Sequence, residues 1–172
     1  MSNKDKLFLI GPMGAGKTSV GKQLAKVLKR DFYDSDKEIE DRTGVNIPTI
    51  FDIEGESGFR NREQQIIDEL TQCDNVVLAT GGGAVLNNEN QKALQSRGTV
   101  FYLSASIDQL FQRTHRDRNR PLLQTDDPKQ KITELLKLRD PIYRSIADFV
   151  IDTDGQSVRK VVDDILRRLD EN

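Results

Sequence analysis

The sequence predicts an α/β fold, a five-stranded parallel sheet with helices on both faces, and three observations carry that prediction. Short apolar runs alternate along the 172 residues with longer stretches of helical periodicity. The stretches between successive runs are long enough for right-handed crossovers, which parallel strands require. The third observation is a glycine-rich segment, GPMGAGKTS at residues 11–19, that joins the first apolar run directly to the first helical stretch. In sheets of this kind ligands are expected at the carboxyl ends of the strands.

The first strand is expected at residues 6–10, an apolar run of Leu7, Phe8, Leu9 and Ile10, and the first helix at 17–29, an amphipathic stretch ending near Arg30. Between them Gly11, Gly14 and Gly16 permit turns that a side chain would obstruct. Successive N–H groups can then converge on phosphate oxygens at a helix start, where the dipole also favours negative charge. In the full G-x-x-x-x-G-K-T pattern Lys17 supplies positive charge to β- and γ-phosphates and Thr18 a hydroxyl for Mg²⁺. Gly14, Ala15, Gly16 and Ser19 complete a candidate nucleoside triphosphate site, placed where the pattern requires, after a strand and opening a helix.

The second strand is expected at 31–34 and a helix at 36–43. In FYDSD, Asp34 and Asp36 are two residues apart in an extended segment, so both carboxylates can face the crevice above the phosphate loop. On one reading Asp34 holds metal-bound water and Asp36 orients an acceptor hydroxyl. On the other, one of them caps the following helix. Residues 44–60 form an insertion suited to covering the site, followed by a helix at 59–72. Its start, GFRNRE, carries Arg60 and Arg62. A guanidinium fork facing a cleft matches an anionic substrate group, whereas most arginines are simply solvated. Phe51 and Phe59 suit an apolar wall beside such a pocket or ordinary core packing.

The third strand, 75–79, runs into Gly81, Gly82 and Gly83, which allow close backbone approach to a small polar ligand or a phosphate. A helix at 88–96, a strand at 99–103 and a helix at 106–114 follow. Residues 115–127 are polar and rich in Arg, Asp and Pro, and RTHRDRNRP holds Arg113, Arg116, Arg118 and Arg120. That run is short, broken by Asp117 and without aromatic partners, which argues against a nucleic-acid patch. In a phosphoryl-transfer enzyme an arginine-bearing cover excludes water and neutralises phosphoryl charge. A helix at 128–138 leads to Arg139 in LRDPIYR, and a strand at 148–151 and a helix at 157–169 complete the chain.

Composition narrows the class. With 35% hydrophobic and 31% charged residues the chain is expected to be a single soluble globular domain rather than disordered. A net charge of -2 gives no general attraction to nucleic acid or anionic membrane. No apolar run approaches the roughly 18 residues of a membrane span, and the N-terminus enters the first strand without a signal peptide. Cys73 is the only cysteine and His115 the only histidine, which excludes an intramolecular disulfide, a His-cluster zinc site and a Ser-His-Asp triad and fits a reducing compartment.

GPMGAGKT, FYDSD, GFRNRE, ATGGGAV, RNRPLL and LRDPIY, in this order between Lys6 and Leu169, resemble the bacterial shikimate kinases, most closely the enterobacterial type I isoenzymes. The resemblance implies a three-layer α/β/α P-loop nucleoside monophosphate kinase-like fold over residues 1–172, with a substrate-binding segment at 36–60 and a lid at 113–127. It implies ATP- and Mg²⁺-dependent transfer to the 3-hydroxyl of shikimate, giving shikimate 3-phosphate and ADP in chorismate and aromatic amino acid biosynthesis. A cytoplasmic monomer without membrane, nucleic-acid or obligate protein partners follows from the same likeness. By position, Asp36 would hold the acid's hydroxyls, Arg60 and Arg139 its carboxylate, and the backbone of Gly81, Gly82 and Gly83 would contribute beside them. Asp34 would stand near the Mg²⁺ water shell, Arg120 would reach the phosphates, Arg113 would stack over adenine, and Asp152 to Gln156 would finish the adenine site. Phe51 and Phe59 match aromatics of the substrate-binding region. Lys17-Thr18-Ser19 departs from the Lys-Ser-Thr order of close relatives, but either hydroxyl can serve Mg²⁺. Rival readings are a gluconate or nucleoside monophosphate kinase, whose acceptor pocket should lack the combination of Asp36, Arg60 and Arg139, and a non-catalytic nucleotide switch, which would release no ADP in response to an acceptor.

Overall fold

Strand β1 (Lys6–Ile10) sends Leu7 and Leu9 to one side and Phe8 and Ile10 to the other, and all four are fully buried. An apolar run of this kind suits only a strand covered on both faces. In the computed structural model, which describes residues 5–114 and 125–171, β1 lies at the centre of that arrangement. With β2 (Asp31–Asp34), β3 (Val76–Ala79), β4 (Thr99–Ser104) and β5 (Phe149–Asp152) it forms a five-stranded sheet in the order β2-β3-β1-β4-β5. Every pair is parallel.

The helices are α1 (Lys17–Leu28), α2 (Ser35–Thr43), α3 (Ile47–Leu70), α4 (Asn88–Arg97), α5 (Ile107–Thr114), α6 (Pro128–Ile146) and α7 (Val158–Asp170). Helices α1, α5 and α7 pack on Leu7, Leu9, Val77, Phe101 and Ile151. Helices α2, α3, α4 and the second half of α6 pack on Phe8, Ile10, Leu78, Val100 and Tyr102, so three layers form an α/β/α sandwich. Among the described residues no helix is long and apolar enough to cross a membrane.

Register positions the site. Ala79 pairs with Leu9 on one side and with Asp34 on the other, so β1, β2 and β3 end at one level. The phosphate loop, the Asp34–Asp36 turn and the Gly81–Gly83 loop therefore leave the same edge of the sheet as neighbours.

Two elements extend beyond the sequence expectation. Helix α3 starts at Ile47, inside the segment expected to be an insertion, because Asn46 Oδ1 accepts the Thr49 N–H at 3.0 Å and Pro48 occupies the first turn. Gly55, at φ 73° and ψ 178°, breaks the helix without ending it. Helix α6 was expected to stop near residue 138 but continues through Pro141 to Ile146. Proline removes one helical hydrogen bond, and burial of Tyr143 and Ile146 offsets that loss.

Candidate active site

Gly14 and Gly16 adopt φ of 89° and 94°, which side chains resist, and Gly16 is the N-cap of α1. No side chain caps α1, so its positive dipole end faces the loop. Lys17 is buried and folds along the loop, its ammonium donating to the carbonyls of Gly11 at 2.5 Å and Pro12 at 2.8 Å. The exposed Thr18 donates its hydroxyl to Asp34 Oδ2 at 2.6 Å, and Ser19 follows on the same rim.

Of the two sequence readings, helix capping is the one that the geometry of Asp34 shows. Its Oδ1 caps α2 by accepting the N–H groups of Asp36 at 3.0 Å and Lys37 at 3.2 Å, while Oδ2 faces Thr18. Ser35 between the two aspartates is fully buried, and its hydroxyl accepts the Gly81 N–H at 3.0 Å. That bond ties the second strand's turn to the glycine loop and sets Asp36 against it. A Cβ on Gly81 would stand 2.6 Å from Asp36 Oδ1 and 3.0 Å from Glu63 Oε2.

The same loop meets two arginines. A Cβ on Gly83 would lie 2.4 Å from Arg60 Nη2, and one on Gly82 would lie 3.5 Å from Arg139 Nη1. Gly81, Gly82 and Gly83 all have ordinary negative φ, so their value here is room for these charged groups. Arg60 donates to Glu63 at 2.9 Å, one turn along α3, and Glu63 is 1% exposed. Burial pushes the Glu63 carboxyl up from its ordinary pKa, against the pull of Arg60 and Arg139. Arg139 is 3% exposed. Arg139 Nε and Glu63 Oε2 are buried without a hydrogen-bond partner among the described residues, polar capacity that suits a hydroxylated acid. Arg62 lies elsewhere, in a bidentate pair with Glu54 on the surface. Phe59 is buried and meets the half-buried Phe51 at 5.2 Å, and the Arg60 guanidinium sits 5.3 Å from the Phe59 ring centre, so both rings pack into the core on this face of the sheet.

Arg113 closes the opposite side of the phosphate loop by donating to the Gly14 carbonyl at 3.0 Å. Loop 152–156 is fastened to the helix that carries Arg113. Gln109 accepts the Gly155 N–H at 3.3 Å and donates to Thr153, and Gln156 closes the turn onto the Asp152 carbonyl at 2.8 Å. Arg116, Arg118 and Arg120, and with them most of the expected lid, lie outside the described residues.

Sequence reasoning passed over Ser35, Glu63 and Gln109. Only Glu63 left a local sign, its three-residue spacing from Arg60.

One cleft of about 720 Å³ connects the two halves, lined by Gly16, Lys17 and Thr18 on one side and Asp36, Gly81 and Gly82 on the other. The open helix end and left-handed glycines fit a polyphosphate. Thr18 and Asp34 offer the oxygen donors that Mg²⁺ prefers. Among the described residues no group of three or more His, Cys, Asp or Glu that could hold a metal ion is found.

Comparison with known proteins identifies the family to which the chain is similar over almost its whole length. The shikimate kinase family model matches residues 13–170. Shikimate kinase of Pseudomonas syringae pv. tomato is 62% identical over 165 residues, 96% of each chain. That of Methylococcus capsulatus is 54% identical over 172 residues, all of this chain and 96% of the relative. A solved structure of shikimate kinase from Acinetobacter baumannii in complex with shikimate superposes with a TM-score of 0.96 at 50% identity, covering 97% of this chain and 93% of that one. With a family model that matches residues 13–170, taking in Lys17, Asp36, the glycine loop, Arg60 and Arg139, this chain belongs to the shikimate kinase family.

Proposed function

We propose that this protein is a shikimate kinase, transferring the γ-phosphoryl group of ATP to the 3-hydroxyl of shikimate to give shikimate 3-phosphate and ADP. The observation that carries this reading is the convergence of Asp36, Arg60 and Arg139 on the Gly81–Gly83 loop within reach of the phosphate loop. Arg60 already pairs with Glu63, whereas the buried Arg139 shows no ion pair among the described residues, so a ring acid gives that guanidinium the anionic partner that a neutral acceptor would not.

The mechanism is positioning and charge stabilisation. The phosphate loop from Gly14 to Ser19 cradles the ATP phosphates, with Lys17 exchanging its contacts to the loop carbonyls for phosphate oxygens. Thr18 directly, and Asp34 through water, would hold Mg²⁺, which neutralises charge on the β- and γ-phosphates when bound. Arg60 and Arg139 clamp the acid's carboxylate, and Phe51 and Phe59 wall the ring. Asp36 aligns the 3-hydroxyl for in-line attack and accepts its proton as the phosphoryl group transfers. Arg113 and loop 152–156 flank adenine, and Arg120 adds positive charge at the phosphates from the lid. Excluding water matters because water is the competing acceptor.

The test is ADP release in ATP and Mg²⁺, with and without shikimate, together with identification of the phosphorylated product. Shikimate-dependent turnover with phosphate on the 3-hydroxyl is expected. Equal ADP release with and without shikimate would overturn the assignment.

A further inference from the structure

Tyr143 is fully buried on α6, one turn beyond Arg139, and its hydroxyl donates to the Gly82 carbonyl at 2.5 Å. The ring packs against Tyr102 at 4.8 Å between centroids. Tyr102 is anchored in turn, its hydroxyl donating to Asp140 Oδ1 at 2.6 Å while Arg144 holds Asp140 Oδ2 at 3.0 Å. A phenylalanine would fill the same volume, so what distinguishes tyrosine here is its hydroxyl, which bonds the glycine loop and interacts with the Arg139 guanidinium beside it. Burial pushes the Tyr143 phenol up, keeping it protonated as a donor, and the neighbouring Arg139 opposes that rise.

The Gly81 N–H is held by Ser35 and the Gly81 and Gly83 carbonyls by the Ala84 and Leu86 amides, so the Tyr143 bond completes the fastening of this loop at the Gly82 carbonyl. Three consecutive glycines give a loop whose peptide planes turn easily. A trans peptide points its C=O and the following N–H in opposite directions. Holding the Gly82 carbonyl back on Tyr143 therefore turns the Gly83 N–H away from α6. We propose that Tyr143 is a positioning residue for the acceptor's carboxylate: its hydroxyl locks the glycine loop to the helix bearing Arg139, so that backbone and guanidinium meet the carboxylate as one rigid unit. The inference rests on the shikimate kinase reading and adds to it a determinant of acid affinity that does not touch the acid.

Tyr143→Phe tests it by steady-state kinetics with shikimate, with shikimate methyl ester and with varied ATP, alongside the thermal midpoint. The variant should raise KM for shikimate about tenfold with a smaller change in kcat, the scale of one lost hydrogen bond to a buried group. KM for ATP should stay within about twofold, because uniform loosening of the fold would move both substrates. The defect should disappear on the methyl ester, where no charged carboxylate is left to be clamped. Tyr102→Phe removes a hydroxyl from the same layer without touching Gly82, and should lower the thermal midpoint while leaving KM for shikimate unchanged. The proposal is overturned by an unchanged KM in Tyr143→Phe, by a parallel rise in KM for ATP, by an equal defect on the ester, or by an equal KM shift in Tyr102→Phe. A wild-type enzyme without shikimate-dependent turnover would instead defeat the activity on which the proposal rests.

Discussion

Thr18 and Asp34 are joined by a 2.6 Å hydrogen bond that crosses from the first turn of α1 to the end of β2. The same aspartate caps α2 with its other oxygen, so one side chain serves stability and the proposed cation site together. The two contributions can be separated. Asp34→Asn keeps an oxygen for the Asp36 and Lys37 amides, whereas Asp34→Ala removes the cap at a cost of about 1 kcal/mol. Both variants should need more Mg²⁺ for half-maximal activity, while only the alanine variant should show a clearly lower thermal midpoint. Mg²⁺ titration and thermal denaturation check this, and an unchanged Mg²⁺ midpoint in both would remove Asp34 from the cation site.

Glu63 gives a pH dependence whose sign follows from burial. An unfolded chain releases this proton near the ordinary value of 4.5, while burial makes the folded chain hold it to higher pH. Between those two values the native state binds more protons, so this group's contribution to stability falls as pH rises through the window and then levels off. Glu63→Gln lacks the titration. The stability of wild type relative to the variant should therefore be greatest near pH 4.5 and decline as pH rises. Urea denaturation of both proteins across that range tests this, and a constant difference would contradict it. Since Glu63 also holds Arg60, KM for shikimate should rise roughly tenfold in the variant.

Local pattern carried most of the fold. The bounds of β1 match the apolar run that predicted it, because a strand buried on both faces needs little beyond such a run, and the half-buried edge strand β2 also falls at its expected bounds. The front of α3 was obscured because Gly55 and Gly58 weaken a helix, whereas the Asn46 cap and Pro48 that start it are only short signals. The end of α6 was obscured because a proline stop was outweighed by tertiary burial. Within the site, Lys17, Asp36, Arg60 and Arg139 stand in compact motifs. Ser35 and Tyr143 stand in the same motifs, but their roles were not legible there, since each acts on a glycine 46 or 61 residues away, and only the folded register brings those partners together.

The glycine loop should tolerate no Cβ, with different consequences along it. Gly83→Ala places a methyl 2.4 Å from Arg60 Nη2, and Arg60 cannot yield without loosening its pair with Glu63. Its main effect should be on KM for shikimate, by about tenfold or more. Gly81→Ala meets Asp36 at 2.6 Å and should chiefly lower kcat by displacing the carboxylate from the acceptor hydroxyl. Steady-state kinetics distinguishes the two. The same pattern of KM and kcat changes in both variants would mean that the loop acts only as a structural turn.

Asp36 and Lys17 occupy opposite walls of one cleft, and their variants should fail in different ways. Asp36→Asn keeps the shape of the side chain but removes the charge that aligns the hydroxyl and accepts its proton. Turnover should fall roughly a hundredfold or more, on the scale of general base catalysis, while the dissociation constant for ATP stays near wild type. A loose phosphoryl-transfer transition state asks less of a base, which places the expected loss toward the lower end of that scale. Lys17→Met withdraws charge from the phosphates themselves and leaves the Gly11 and Pro12 carbonyls without their donor, so it should impair phosphoryl transfer broadly and destabilise the loop. Equilibrium binding of ATP set beside single-turnover rates separates these outcomes. If Asp36→Asn lost ATP affinity in proportion to its rate, Asp36 would belong to the nucleotide side of the cleft rather than to the acceptor side.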